Sequence, residues 1–257
     1  MGILSGVDDI IDSALGIPHR GQPLDGGALV DALYRKIDKN WEQIKHSKET
    51  RRPSGYNWKL RPQLKYSPNN PSRGETRFER DIIWLDQAKR RTWFNQIPTA
   101  SGLAGSREDK RQAVDLIHDC STVAGKRHYE FIELKIGSNT PLYAACEVLK
   151  YGLLYLFSRK NMRELGYATP DQQPLLTANG IHLRVLAPQN FYEKSNLWWL
   201  EQSLSQGIST FAKRKEFGVD GVEMDFAFLI LRVDTKMFPR AYGPDSTSGS
   251  VGKLAAS

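Results

Sequence analysis

The amino-acid sequence predicts an α/β fold in which a mixed central β-sheet is flanked by helices. Two observations carry this. From residue 75 onward, segments with apolar residues every three or four positions alternate with short segments of period two, in the order helix, strand, strand, helix, strand, helix, strand. One of the helices also has a marked start, Thr140-Pro141, directly after an apolar strand.

In chain order, the first 34 residues hold five Asp and one Arg. Gly26-Gly27 then precedes a helix over about 28–48, where Leu29, Leu33, Ile37, Trp41 and Ile44 recur at helical spacing. The stretch 50–74 contains four prolines and reads as an extended arm. A second helix is predicted over 75–90, with Phe78, Ile82 and Leu85 as its stripe. The polar segment 98–106 reads as a flexible connection, and a further strand can precede residue 111. Strands follow over 111–119 and 129–136; in the latter Phe131, Glu133 and Lys135 share one face, and Ile132, Leu134 and Ile136 the other. Next come the helix from Pro141, with Leu142, Ala145, Leu149, Leu153 and Leu156 as its stripe, and a strand over 180–187 ended by Pro188. A helix near 190–213 and a strand near 223–233 complete the order. The chain therefore divides into a basic helical region and arm over 1–74, a core over 75–240, and a flexible Gly- and Ser-rich tail over 241–257.

Composition bounds the function. The chain has 257 residues, enough to bury a continuous core without staples. Its two cysteines, Cys120 and Cys146, cannot build a disulfide scaffold or a thiolate zinc cluster. No apolar run approaches the about 20 residues of a membrane span, and the start has no leader pattern, so the expectation is a cytoplasmic protein with no membrane partner. No Walker string occurs. The net charge is +7, and residues 35–65 alone hold ten Lys or Arg against Asp38, Glu42 and Glu49. In that arm Tyr56, Trp58 and Tyr66 lie among Arg51, Arg52, Lys59, Arg61 and Lys65, a mixture suited to neutralising phosphates and stacking on bases; the alternative is that the aromatics anchor a loop on the core.

The chemistry centres on Asp115, on one strand, and Glu133 and Lys135, on the next. Neighbouring strands would bring both carboxylates to a divalent cation with Lys135 beside it. Hard oxygen ligands suit Mg²⁺, which polarises a phosphate, while the ammonium neutralises developing charge. In the alternative reading, Asp115 is an edge-strand carboxylate paired with Arg111 or Lys126, and Glu133 and Lys135 form a solvated pair.

These residues resemble the PD-(D/E)xK nuclease superfamily, of restriction-endonuclease-like fold. Asp115 stands at the first acidic position, although Val114 replaces the usual Pro before it, and Glu133-Leu134-Lys135 matches the following ExK element. The resemblance covers about residues 75–190 and implies that the acidic residues bind Mg²⁺, with Mn²⁺ as a substitute, while Lys135 assists phosphodiester hydrolysis. Glu79 resembles the additional acidic residue that many members carry on the preceding helix, with Glu75, one helical turn away, as the alternative. Lys150 and Tyr151 lie where related nucleases place phosphate-contacting residues. The implied partner is nucleic acid, DNA by prevalence in the superfamily, and a homodimer is one arrangement its members use. The other readings are an inactive nucleic-acid-binding module of the same fold and a protein-interaction module. His118, on the strand face away from Asp115, reads as a structural imidazole, and Asp220, Glu223 and Asp225 as solvent-facing acids near a turn.

Overall fold

A computed structural model of the chain describes residues 1–15, 24–48, 50, 57–61, 74–87, 91–104, 112–121, 125–137, 140–167, 173–193 and 196–232. The elements are α1 (Val7–Leu15), α2 (Gly26–Ile44), α3 (Glu75–Gln87), β1 (Trp93–Pro98), β2 (Ala113–Asp119), β3 (His128–Leu134), α4 (Pro141–Lys160), β4 (Gly180–Ala187), α5 (Gln189–Tyr192), α6 (Trp198–Ala212) and β5 (Glu223–Ile230).

The strands form one mixed sheet in the order β1-β2-β3-β4-β5. β2 pairs antiparallel with both β1 and β3, whereas β4 lies parallel to both β3 and β5. The antiparallel strands follow one another in sequence, while α4 and α6 carry the chain between the parallel strands, as parallel pairing requires. This is the predicted α/β class.

Two apolar clusters hold the layers. The larger contains Phe131 and Ile117 from the sheet together with α4, α2 and α6. The smaller packs Phe78, Ile82 and Ile83 of α3 on Leu116, Ile132, Leu134 and Leu186. The alternation expected for β3 is therefore realised, with Phe131 toward α4 and Ile132 and Leu134 toward α3.

Capping explains two helix starts. Asp25 Oδ1 accepts the Ala28 N–H at 2.9 Å, and Thr140 Oγ1 accepts that of Tyr143 at 3.3 Å with Pro141 at the first helical position. The unpaired edge of β5 is covered by side chains of α6, since Ser205 Oγ accepts from Phe226 N–H at 3.3 Å and Glu201 Oε2 from Phe228 N–H at 2.8 Å.

Two expectations need correction, and one alternative is decided. The segment after β1 is no loose connection: Ala100 and Leu103 are buried, Thr99 Oγ1 donates to Gln112 O at 3.0 Å, and Ser101 Oγ accepts Gln112 N–H at 2.6 Å. The helix expected near 190–213 is two, α5 and α6. Of the two readings of the arm's aromatics, Trp58 follows the one in which they anchor the loop on the core: it is fully buried, near-parallel to Phe131 at 5.9 Å, with its Nε1 donating to Ser158 Oγ at 2.9 Å. Of the arm, Arg51, Arg52, Tyr56, Lys65 and Tyr66 lie outside the described residues, as does the tail over 241–257.

Candidate active site

The site forms where β1, β2 and β3 stand side by side. β2 places Leu116 opposite Ile132 of β3, and this register carries Asp115 toward Glu133 at the end of the ladder. There the Asp115 carboxylate turns to the neighbouring backbone, with Oδ2 accepting Leu134 N–H at 3.1 Å. On the other side, Asn95 faces Leu116 and Ile97 faces Val114, so Gln96 of β1 sits beside Asp115. Gln96 Nε2 donates to Glu79 Oε2 of α3 at 2.9 Å and makes a longer contact of 3.5 Å to Asp115 Oδ1.

Lys135 completes the group. Its Nζ lies 2.5 Å from Glu133 Oε1 and 2.9 Å from Glu147 Oε2 on α4, and its backbone N–H is fixed to Leu186 O at 3.0 Å. Glu133 and Lys135 are only 3% and 6% exposed, which overturns the reading of them as a solvated pair. Asp115 contacts the Gln96 amide and the Leu134 N–H, and β2 is an inner strand, so Asp115 is not the edge-strand carboxylate of its alternative reading; Arg111, one of the partners considered there, lies outside the described residues.

Burial dominates the electrostatics. It raises the Glu133 carboxyl well above the usual carboxylate range, and the neighbouring Asp115 charge adds to it against the opposing pull of Lys135. Burial also raises Asp115, against the Leu134 N–H and Lys135. Glu79 is pushed up to about 7 by burial and by Asp115, although hydrogen bonds from Gln96 and Asn95 oppose this. The Tyr151 hydroxyl is raised by burial and then by Glu133, Asp115 and Glu147, which places this tyrosine beside the carboxylates and not at a solvent-facing phosphate contact. One ammonium thus contacts two carboxylates, Glu133 and Glu147, while burial raises the proton affinity of Glu133, Asp115 and Glu79.

This donor set suits a hard divalent cation. Glu133 Oε2 is buried and accepts no hydrogen bond, and Asp115 Oδ1 has only the long Gln96 contact. Mg²⁺ is commonly held by one or two carboxylates with water and phosphate oxygens completing its shell. Among the described residues, however, no three His, Cys, Asp or Glu side chains form a group that could hold a metal. Glu79 is therefore not a third ligand in a preformed triad; it reaches Asp115 through the Gln96 amide.

The remaining candidates lie elsewhere. Lys150 Nζ is engaged with Asp8 of α1 at 2.9 Å and is largely buried, so it does not present a free ammonium to a phosphate backbone. Lys59 is half-buried and Arg61 exposed. His118 faces away from Asp115, pairing with Glu130 at 2.9 Å and stacking on Trp93 at 4.4 Å. Asp225 belongs to the same polar row across the sheet: burial pushes its carboxyl up, but His182 and Arg184 outweigh this and hold it at about 2. An open pocket of about 610 Å³ lined by Arg159, Leu176 and Phe217 lies at the far end of α4 and includes none of the carboxylates.

Comparison with protein-family models, curated proteins and solved structures finds no match to this chain. Among the described residues, no helix is long and apolar enough to cross a membrane. Sequence reading overlooked Gln96 and Glu147. Glu147 sits one helical turn before Tyr151, a spacing that would have flagged it; Gln96 had no signal, because its strand was expected without bounds.

Proposed function

We propose that this chain is a Mg²⁺-dependent nuclease that hydrolyses phosphodiester bonds. The observation that carries the reading is a buried carboxylate oxygen without a hydrogen-bond partner, Glu133 Oε2, next to Asp115, on a carboxylate whose other oxygen, Oε1, lies 2.5 Å from the Lys135 ammonium. Asp115 and Glu133 would hold the metal, which when bound supplies a Lewis acid for the phosphate and a water of lowered pKa. The element order around these residues, a helix, three antiparallel strands, a helix and a parallel strand, agrees with the superfamily resemblance. The preference for DNA rests on that resemblance alone.

The chain's own residues have separable roles. Lys135 neutralises the charge that develops on the phosphate oxygens as a fifth oxygen adds to phosphorus. Glu147 keeps that ammonium in place when Glu133 turns to a cation, because Lys135 contacts both carboxylates. Burial raises the proton affinity of Glu133 and Asp115, so protons compete with a metal for them and metal affinity increases with pH.

The test is cleavage of linear and circular DNA by wild type and by Asp115→Asn, Glu133→Gln and Lys135→Ala, with Mg²⁺, Mn²⁺ or EDTA, alongside metal and DNA affinity on the same folded preparations. Expected are loss of cleavage in EDTA and a fall of about 100-fold or more for each variant. Metal binding should weaken in the two carboxylate variants and persist in Lys135→Ala. Metal-independent DNA binding without cleavage would favour the inactive binding module. Wild-type rates in all three folded variants would remove this site from the mechanism.

A further inference from the structure

Among the described residues, Gln96 is the one strand residue with a left-handed backbone, at φ +52°. Such a conformation is uncommon for a residue with a β-carbon and persists only where surrounding structure enforces it. The strand is not broken there, since Asn95 and Ile97 on either side keep their partners Leu116 and Val114. What the conformation accomplishes is a side-chain direction: the amide lies between Glu79 Oε2, at 2.9 Å, and Asp115 Oδ1, at 3.5 Å.

The chemistry of an amide fits this place. Its nitrogen carries two hydrogens and can serve two carboxylates at once, which a hydroxyl cannot. A lysine there would also serve both, but it would bring the positive charge that a bound cation must supply. Asp115 is thereby held at both oxygens, Oδ2 by the Leu134 N–H and Oδ1 by Gln96, next to the buried, unpartnered Glu133 Oε2.

We propose that Gln96 is a positioning residue, anchored by Glu79, that aims Asp115 Oδ1 at the cation shared with Glu133. This rests on reading the site as a metal centre. Groups that orient a metal's ligands typically change its affinity by about 10–100-fold when removed.

The experiment uses the full chain and Mn²⁺ alone, titrated by electron paramagnetic resonance, with a thermal melt of every preparation. The variants are Gln96→Ala, Gln96→Gly, Glu79→Met, Gln96→Ala combined with Glu79→Met, and Asp115→Asn. Gln96→Ala and Gln96→Gly should each weaken Mn²⁺ binding by about 10–100-fold. Gln96→Gly should melt no lower than Gln96→Ala, because glycine adopts the positive φ without strain. Glu79→Met should also weaken binding, and Gln96→Ala should add less in that background than alone. If wild type and Asp115→Asn bind Mn²⁺ equally, the metal-centre reading fails and the role of Gln96 fails with it. If Asp115→Asn weakens binding but folded Gln96→Ala and Gln96→Gly match wild type, the Gln96 proposal alone is overturned.

Discussion

The carboxylates at the end of β3 tie protonation to stability. Burial raises Glu133 and Asp115 above the ordinary carboxylate range and Glu79 to about 7, so the folded chain holds protons that the unfolded chain has already released. Between the unfolded and folded values the native state binds more protons, and stability falls as pH rises. In EDTA, this site's contribution should therefore be fully present below about pH 4, the unfolded carboxylate range, and decline through neutrality. Glu133→Gln, whose amide oxygen can still accept from Lys135, should flatten the dependence and raise Tm at pH 8 by about 2–4 °C, the equivalent of about 1 kcal/mol at this chain length. Melting curves from pH 4 to pH 9 decide it, and identical slopes for variant and wild type would remove Glu133 as the cause. Asp115, Glu133 and Lys135 were legible because strand alternation fixes which side chains share a face. Their degree of burial was not, because it depends on α4, whose Glu147 and Tyr151 close over the site from a distance in sequence.

Elements were most legible where a local signal marked them. The cap and proline of α4 and the proline after β4 placed those boundaries well, since both act through backbone geometry alone. The apolar stripe expected on α4 understated it: the helix is buried on nearly all sides because it lies between the sheet and α2. α1 escaped notice although Ile3, Val7 and Ile11 recur at a helical period, being only a short amphipathic segment. The contact between α2 and α6 was not readable at all, because it depends on two glycines far apart in sequence. A β-carbon at Gly207 would come within 2.5 Å of the Gly26 carbonyl, and one at Gly26 would collide with Ser203 O. Gly207→Ala improves local helix propensity, yet the obstructing atoms are backbone and cannot swing aside. It should destabilise the chain by about 1–3 kcal/mol in chemical denaturation while leaving metal affinity per folded molecule unchanged. A variant as stable as wild type would show that the helices separate without cost.

At the scale of the whole molecule, the excess charge and the candidate site come from different parts of the chain. The +7 balance of residues 35–65 is not all available to a partner, because Arg35 pairs with Asp31, and Lys45 with Glu42 and Glu164. Lys59 and Arg61 follow Trp58, which is locked in the core beside Phe131, so these two cations stand next to a fixed point of the core. A segment of this basic composition is suited to contacting a phosphate backbone, a sequence-independent interaction that releases counterions. Neutralising Arg51, Arg52, Lys59, Arg61 and Lys65 together should weaken binding to unrelated duplexes alike. It should also flatten the slope of log affinity against log salt by about 0.9 for each phosphate contact removed. The carboxylates provide the internal control. Glu133→Gln alters the site without altering the arm, so it should leave the salt slope in EDTA near that of wild type while changing metal affinity. Titrations at several salt concentrations separate the two, and an unchanged affinity and slope in the five-fold variant would assign the arm to structure or to a protein partner instead of nucleic acid.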